Sequence, residues 1–190
     1  MISKAEIRKR CFEEVRRLGE EQRRQCSSLI CDKISQWPDF LNAKHVFTYE
    51  SMLTEPSLSR LMEQFPEKAW SFSRISERGR LAFHQVSDRS RLVRSRWGFA
   101  EPDPERCPLT SIKQADLILV PGVAFDTKDG TRLGRGKGHY DRYLAPFTSS
   151  GCSALLTGVC FAVQLANLCG EPHDVPMHRV ITENGISLVT

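Results

Sequence analysis

Arg132, Arg135, Lys137 and Arg142 place four cations within eleven residues, and Gly134, Gly136 and Gly138 alternate among them. Like charges at that density repel one another unless something anionic sits between them. Glycines at alternate positions let backbone N–H groups approach a ligand closely, and a helix start just beyond adds further donors. The pattern suits a polyphosphate. It is not a Walker A loop, because Gly138 follows Lys137 where Ser or Thr would hold a metal, and it lacks the last spacing of a dinucleotide fingerprint. Residue types alone leave a second reading open, a solvated basic loop whose glycines serve turns. Asp141 follows the glycines within reach of a Mg²⁺ bridging bound phosphates. Its other reading is an acidic residue favouring a helix start.

The elements that position this loop are legible on both sides. Leu117 to Val120 is an apolar run closed by Pro121-Gly122, so strand, loop and helix start follow in order. At the N-terminus, Ser3 and Glu6 form a capping box, and Ile7, Cys11, Val15 and Leu18 recur at helical spacing up to Gly19. Lys4 falls inside that apolar arc and Arg8 at its border, whereas Arg10, Arg16 and Arg17 point elsewhere. An inward cation needs an anionic partner. Either Lys4 and Arg8 face a ligand, or Lys4 frays and Arg8 pairs locally with Glu6 or Glu14.

Glu21 to Ser35 reads as a second helix stopped before Pro38. Val46 to Tyr49 reads as a strand, the polar turn Glu50 to Pro56 leads into a helix carrying Leu58, Leu61, Met62 and Phe65, and Ala69 to Phe72 and Leu81 to Val86 read as two more strands. Arg89 to Pro108 is expected to be an irregular loop. Tyr140 to Phe147 reads as a helix, Ala154 to Cys160 as a strand covered on both faces, and Asn184-Gly185 as a hairpin turn. Helices first and then strands alternating with helices predict an α/β chain: one domain over residues 1–190, three layers α/β/α, with a mostly parallel mixed sheet.

The chain has 190 residues, 40% of them hydrophobic and 26% charged, with a net charge of +4. These values suit a soluble globular protein with small anionic ligands; they are too mild to argue for nucleic acid. Seven cysteines without a CxxC pair suggest neither a disulfide framework nor a zinc ribbon. That cysteine usage suits a reducing compartment, the N-terminus shows no apolar signal region and no apolar run approaches the ~20 residues of a membrane span, so a cytoplasmic protein is expected; a monomer is a separate expectation that nothing in the sequence fixes.

Taken as a whole, the string PGVAFDTKDGTRLGRGKGHYDRYL, Pro121 to Leu144, resembles the signature of the 5-formyltetrahydrofolate cyclo-ligase family. The resemblance implies ATP and Mg²⁺ as cosubstrate and cofactor, and small-molecule substrates as the partners. The implied reaction phosphorylates the formyl oxygen of 5-formyltetrahydrofolate and closes it to 5,10-methenyltetrahydrofolate. By correspondence, Lys4, Arg8, Arg132, Leu133, Gly134, Arg135, Gly136, Lys137, Gly138, His139 and Tyr140 would bind ATP, with Lys137, Arg135 and Tyr140 catalytic and Asp141 on the metal. Glu50, Met52, Glu55, Trp97 and His139 would meet the folate. Glu55 suits the amino-pyrimidine edge of a pterin, since a carboxylate accepts two N–H bonds at once; its plainer reading is a residue at a helix start. Trp97 is read equally as a pterin platform or as core.

Three positions depart from the family pattern. Glu50 stands where an apolar residue is usual, His139 where an aromatic ring is commoner, and His178 in the DVPMH string where the family often has an acidic residue. Magnesium prefers oxygen ligands, so His178 is not expected on the metal, and Asp174 is a substitute to consider. A zinc site on His173 and His178 lacks nearby cysteines. Two rival functions keep the fold without this reaction: binding of a nucleotide or RNA, and catalysis on another phosphorylated metabolite.

Overall fold

The computed structural model describes residues 2–95, 98–148 and 153–189. The Ser3 hydroxyl accepts from the Glu6 amide while the Glu6 carboxylate accepts from the Ser3 amide, so both ends of the capping box are made and α1 runs Lys4–Arg17. Such a cap is worth about 1 kcal/mol. Gly19 takes φ +68°, a left-handed turn that costs a glycine little, and starts α2, Gly19–Ser35. Then come α3 (Pro38–Asn42), β1 (His45–Thr48), α4 (Ser59–Gln64), β2 (Ala69–Ile75) and β3 (Leu81–Gln85). They are followed by β4 (Leu92–Arg94), β5 (Ala100–Pro102), β6 (Leu109–Thr110) and β7 (Leu117–Pro121). The chain finishes with β8 (Ala124–Phe125), β9 (Arg132–Leu133), α5 (His139–Leu144), β10 (Leu155–Val159), β11 (Arg179–Thr182) and β12 (Gly185–Leu188).

The main sheet has eight strands in the order β12-β11-β10-β7-β1-β2-β3-β6. From β11 to β2 all neighbours are parallel, and antiparallel strands form both edges. Alternation along β7 splits the core. Leu117 and Leu119 join Val46, Phe72 and Ile181 beneath α1 to α4, through Val15, Ile30, Ile34, Phe40 and Leu61. Ile118 and Val120 join Phe47, Phe83, Leu156 and Val180 on the opposite face, where Leu144 of α5 closes the layer. The three-layer α/β/α expectation holds in lopsided form, with four helices on one face and the short α5 on the other. Among the described residues no helix is long and apolar enough to cross a membrane.

Three local expectations need correction. The segment from Arg89 to Pro108 is not wholly irregular, because among its described residues β4 and β5 pair antiparallel. Glu101, 3% exposed, fixes them against β2 by accepting from the Ile75 amide at 3.3 Å and pairing with Arg74 at 3.5 Å. The polar loop after β7 contains its own ladder, β8 against β9. Finally, α5 stops at Leu144, and a 3-10 turn, Ala145–Thr148, carries Pro146, which has no N–H to continue an α-helix.

The strand order reverses between β1 and β7, since β2 lies on one side of β1 while β7, β10 and β11 lie on the other. At such a switch point the loops leaving two adjacent carboxyl ends diverge and open a crevice. Here those loops are residues 49–58 and 122–138.

Candidate active site

Two of the three glycines at the tip of the long loop have left-handed backbones, Gly136 at φ +90° and Gly138 at φ +61°. Gly134 is crowded instead: a Cβ there would lie 2.9 Å from the Arg132 guanidinium, which would have to shift. Arg135 and Lys137 are exposed, whereas Arg132 is 7% exposed and donates to Asp141 Oδ1 at 2.5 Å. The Arg132 guanidinium also lies over the Tyr140 ring, 5.4 Å from its centroid. With only six residues, α5 adds little dipole, so attraction for an anion rests on these side chains and on loop amides.

Helix α1 comes to the loop because Ile7 and Cys11 pack with Val123, Ala124 and Leu133 in a cluster of their own. That packing sets Arg8 beside the glycines, where its Nε donates to the Gly134 carbonyl at 2.8 Å. Glu6 and Glu14, the local partners considered for it, are taken by Ser3 and Arg17. Lys4 does not fray. Its Nζ donates to Glu171 at 2.7 Å and lies 3.7 Å from Asp174, and the Glu171 bond raises its pKa.

The turn after β1 is drawn shut by the buried Tyr49 hydroxyl, which donates to the Pro56 carbonyl at 3.0 Å. Inside it, Glu55 Oε2 accepts from the Met52 amide at 3.0 Å, and the Glu55 amide donates to the Met52 carbonyl at 2.9 Å. The Glu55 side chain is only 9% exposed, and burial lifts its pKa against the opposing pull of the Met52 amide and Arg135. Arg135 spans the crevice: Nη2 donates to Thr54 Oγ1 at 2.7 Å and reaches Glu55 Oε1 at 3.4 Å, with the guanidinium 5.3 Å from the Phe12 ring centroid. Glu50 has found a cation, Arg89, in the 3-10 turn that precedes β4. The unusual carboxylate is therefore paired, and its partner was not evident because 39 residues separate them.

Tyr140 keeps its proton, since burial pushes the phenol well up, and the Glu55 charge pushes the same way. Among the described residues that buried hydroxyl has no hydrogen-bond partner, and nearby Ser73 pulls the other way, toward the ionised form, without offsetting burial. His139 meets Arg142 at 3.3 Å; burial first, then that cation, lowers its pKa. His178 Nδ1 accepts from the Leu156 amide at 3.0 Å, tying the start of β11 to β10, and burial of the ring lowers its pKa. His173 instead faces Glu171 at 3.3 Å. Trp97 lies outside the described residues.

Among the described residues, no three His, Cys, Asp or Glu side chains converge on a common point. The chemistry of the site still fits magnesium, which is commonly held by one or two carboxylates with substrate phosphates and water. Asp141 offers that carboxylate, and Arg132 engages its Oδ1.

A cavity of about 910 Å³ opens between the N-terminus of α1, the β8–β9 hairpin and residues 165–171. Ile7, Leu133 and Leu168 give it apolar walls, and Lys4, Arg10 and Arg132 give it charge. It adjoins the glycine loop through Leu133 without including Gly134 to Gly138. Arg10, expected to point away, lines it while remaining exposed. Asp126 was not singled out by sequence. Its Oδ2 accepts from the Leu168 amide at 2.8 Å and its Oδ1 from the Lys128 amide at 3.0 Å, so this one carboxylate joins two walls. The signal available was the Asp at the end of the apolar VAF run, a residue type that caps turns.

The chain matches the model of the 5-formyltetrahydrofolate cyclo-ligase family over residues 1–183. It is 41% identical over 91 residues to a 5-formyltetrahydrofolate cyclo-ligase of Mycolicibacterium smegmatis, covering 48% of this chain and 45% of the relative. Against the Saccharomyces cerevisiae 5-formyltetrahydrofolate cyclo-ligase it is 33% identical over 112 residues, covering 55% and 52%. The chain thus aligns with about half the length of these two curated relatives. The solution structure of Aquifex aeolicus 5,10-methenyltetrahydrofolate synthetase is similar with a TM-score of 0.84 and 28% identity, covering 99% of this chain and 93% of that one.

Proposed function

The chain belongs to the 5-formyltetrahydrofolate cyclo-ligase family, and from that premise we propose that it converts 5-formyltetrahydrofolate to 5,10-methenyltetrahydrofolate at the expense of ATP. The observation that carries the reading is the meeting of three elements at one crevice: the glycine loop, Arg8 of α1 and the Glu55 turn, joined by the Arg8–Gly134 and Arg135–Thr54 bonds.

ATP seats its nucleoside in the cavity beside Ile7, Leu133 and Leu168, and its phosphates run onto the amides and cations of Gly134 to Gly138. The formyl oxygen attacks the γ-phosphorus as ADP leaves. N10 then adds to the activated carbon, phosphate departs with the formyl oxygen, and loss of the N10 proton leaves the methenyl bridge. Little covalent work falls to the protein, so positioning and charge neutralisation supply the rate. Lys137, exposed and free to reach the γ-phosphoryl group, neutralises charge as it transfers. Asp141 would hold Mg²⁺, which supplies Lewis-acid neutralisation of the phosphate oxygens. Tyr140, protonated at neutral pH, serves as a donor and not as a base. Glu55 accepts the N–H groups of the pterin amino-pyrimidine, whose donors replace part of the solvation that burial removed.

Incubation of the purified protein with 5-formyltetrahydrofolate, ATP and Mg²⁺ produces the near-ultraviolet absorbance of the methenyl product and stoichiometric ADP. Absence of both at saturating folate overturns the proposal.

A further inference from the structure

Arg135 belongs by sequence to the glycine loop, yet its guanidinium is spent on the opposite wall. Nη2 reaches Thr54 Oγ1 at 2.7 Å and Glu55 Oε1 at 3.4 Å, and the guanidinium rests over Phe12 of α1 at 5.3 Å. One side chain thus touches three elements: the loop proposed for phosphates, the turn proposed for folate, and the helix that carries Arg8. Glu55 is 9% exposed, and among the described residues its carboxylate accepts from the Met52 amide and from Arg135. Arg135 is 39% exposed and can swing without leaving a buried void.

We propose that Arg135 couples the two substrate sites, so that folate and nucleotide bind with positive cooperativity. The inference rests on the function proposed above and adds the linkage between its sites. A pterin that donates to Glu55 competes with Arg135 for the carboxylate, and a triphosphate on the glycine loop competes with Glu55 for the guanidinium. Either ligand alone must separate the pair. Nucleotide alone leaves a nearly buried carboxylate short of a donor, and folate alone leaves a cation without its acceptor. When both are bound, Glu55 faces the pterin and Arg135 faces the phosphates, so the cost of separation is met once for two binding events. Linkage makes the effect reciprocal: folate tightens nucleotide by the same factor by which nucleotide tightens folate. The device also guards the phosphoryl group, since Arg135 is released to the phosphates most readily when the acceptor substrate holds Glu55.

The test is calorimetric titration of a non-hydrolysable ATP analogue with Mg²⁺, with and without saturating 5-formyltetrahydrofolate, and the reverse titration. For the unaltered protein each ligand tightens the other by about fivefold or more, within the usual range of coupling between sites. Arg135→Gln reduces that factor below about twofold while both ligands still bind, a loss of coupling that general loosening of the fold would not single out. Thr54→Val, which removes the 2.7 Å bond without touching either charge, weakens the coupling and tightens nucleotide binding measured alone. Independent binding in the unaltered protein, or full coupling retained in Arg135→Gln, overturns the inference and leaves the proposed function standing. Failure of folate to bind at all overturns the proposed function, and the inference falls with it.

Discussion

Arg8 Nε donates to the Gly134 carbonyl at 2.8 Å, a bond that joins the first helix to the glycine loop across 126 residues of sequence. It fixes the orientation of a loop whose Gly136 and Gly138 would otherwise have wide backbone freedom. Arg8→Ala therefore lowers affinity for the ATP analogue by about tenfold, equivalent to ~1.4 kcal/mol. The loss of global stability is about 1 kcal/mol, the usual worth of one such bond. Calorimetric titration and urea unfolding read the two effects separately.

Lys137 is exposed, so its side chain adds little to the packing of the core. Lys137→Ala lowers turnover by about 100-fold or more, the loss typical of removing one group that stabilises transition-state charge. The far-ultraviolet circular dichroism and the Tm stay unchanged. Retained turnover would move the role to another cation of the loop.

Glu55 trades stability for binding. Its folded-state pKa is raised, so its contribution favours the folded state at pH below the ordinary carboxylate value and is lost as pH rises through the raised value. At neutral pH the ionised group is a cost to the ligand-free fold. Glu55→Gln removes that cost, so Tm at pH 7 holds or rises while folate affinity falls by about tenfold or more, the range for a lost charge-assisted bond. A fall in Tm with unchanged folate affinity would reassign the residue to structure.

Three imidazoles, His45, His139 and His178, have lowered pKa values, each chiefly through burial. A lowered value means that the unfolded chain binds protons more readily, so their stabilising contribution is present above the ordinary histidine value and is lost as pH falls through the folded values. Tm consequently declines as pH is lowered from about 7.5 to about 5.5. His178→Asn keeps an acceptor for the Leu156 amide and removes one titrating ring, so part of the decline disappears in differential scanning calorimetry.

Gly158 lies in β10 against the Phe125 ring, and a Cβ at that position would sit 2.3 Å from a ring carbon. Gly158→Ala overpacks the core and lowers unfolding stability by about 1–3 kcal/mol in urea titrations.

What the sequence disclosed follows the range of the forces involved. The Ser3–Glu6 box, the Ile7–Cys11–Val15 arc and the continuous apolar run of β7 are local patterns, and each element formed close to its expected bounds. Two-residue strands such as β8 and β9 are too short to show a period, so their hairpin was read as loop. The crevice was legible as residue types but not as a set of contacts. Lys4 and Arg8 were both expected to face inward, yet one reached Glu171 and the other Gly134, because the partners come from segments that chain order cannot bring together. The Glu50–Arg89 and Asp126–Leu168 ties escaped for the same reason.

The central strand β7 has every residue buried and hydrogen-bonded neighbours on both sides, whereas the chains that leave the sheet at the switch point lie at its rim. Amide protons of Leu119 and Thr157 should exchange with deuterium only through global opening, while those of residues 51–55 and 134–138 exchange through small excursions. Ligand footprints on those two segments can then be mapped by mass spectrometry against a frame that stays silent.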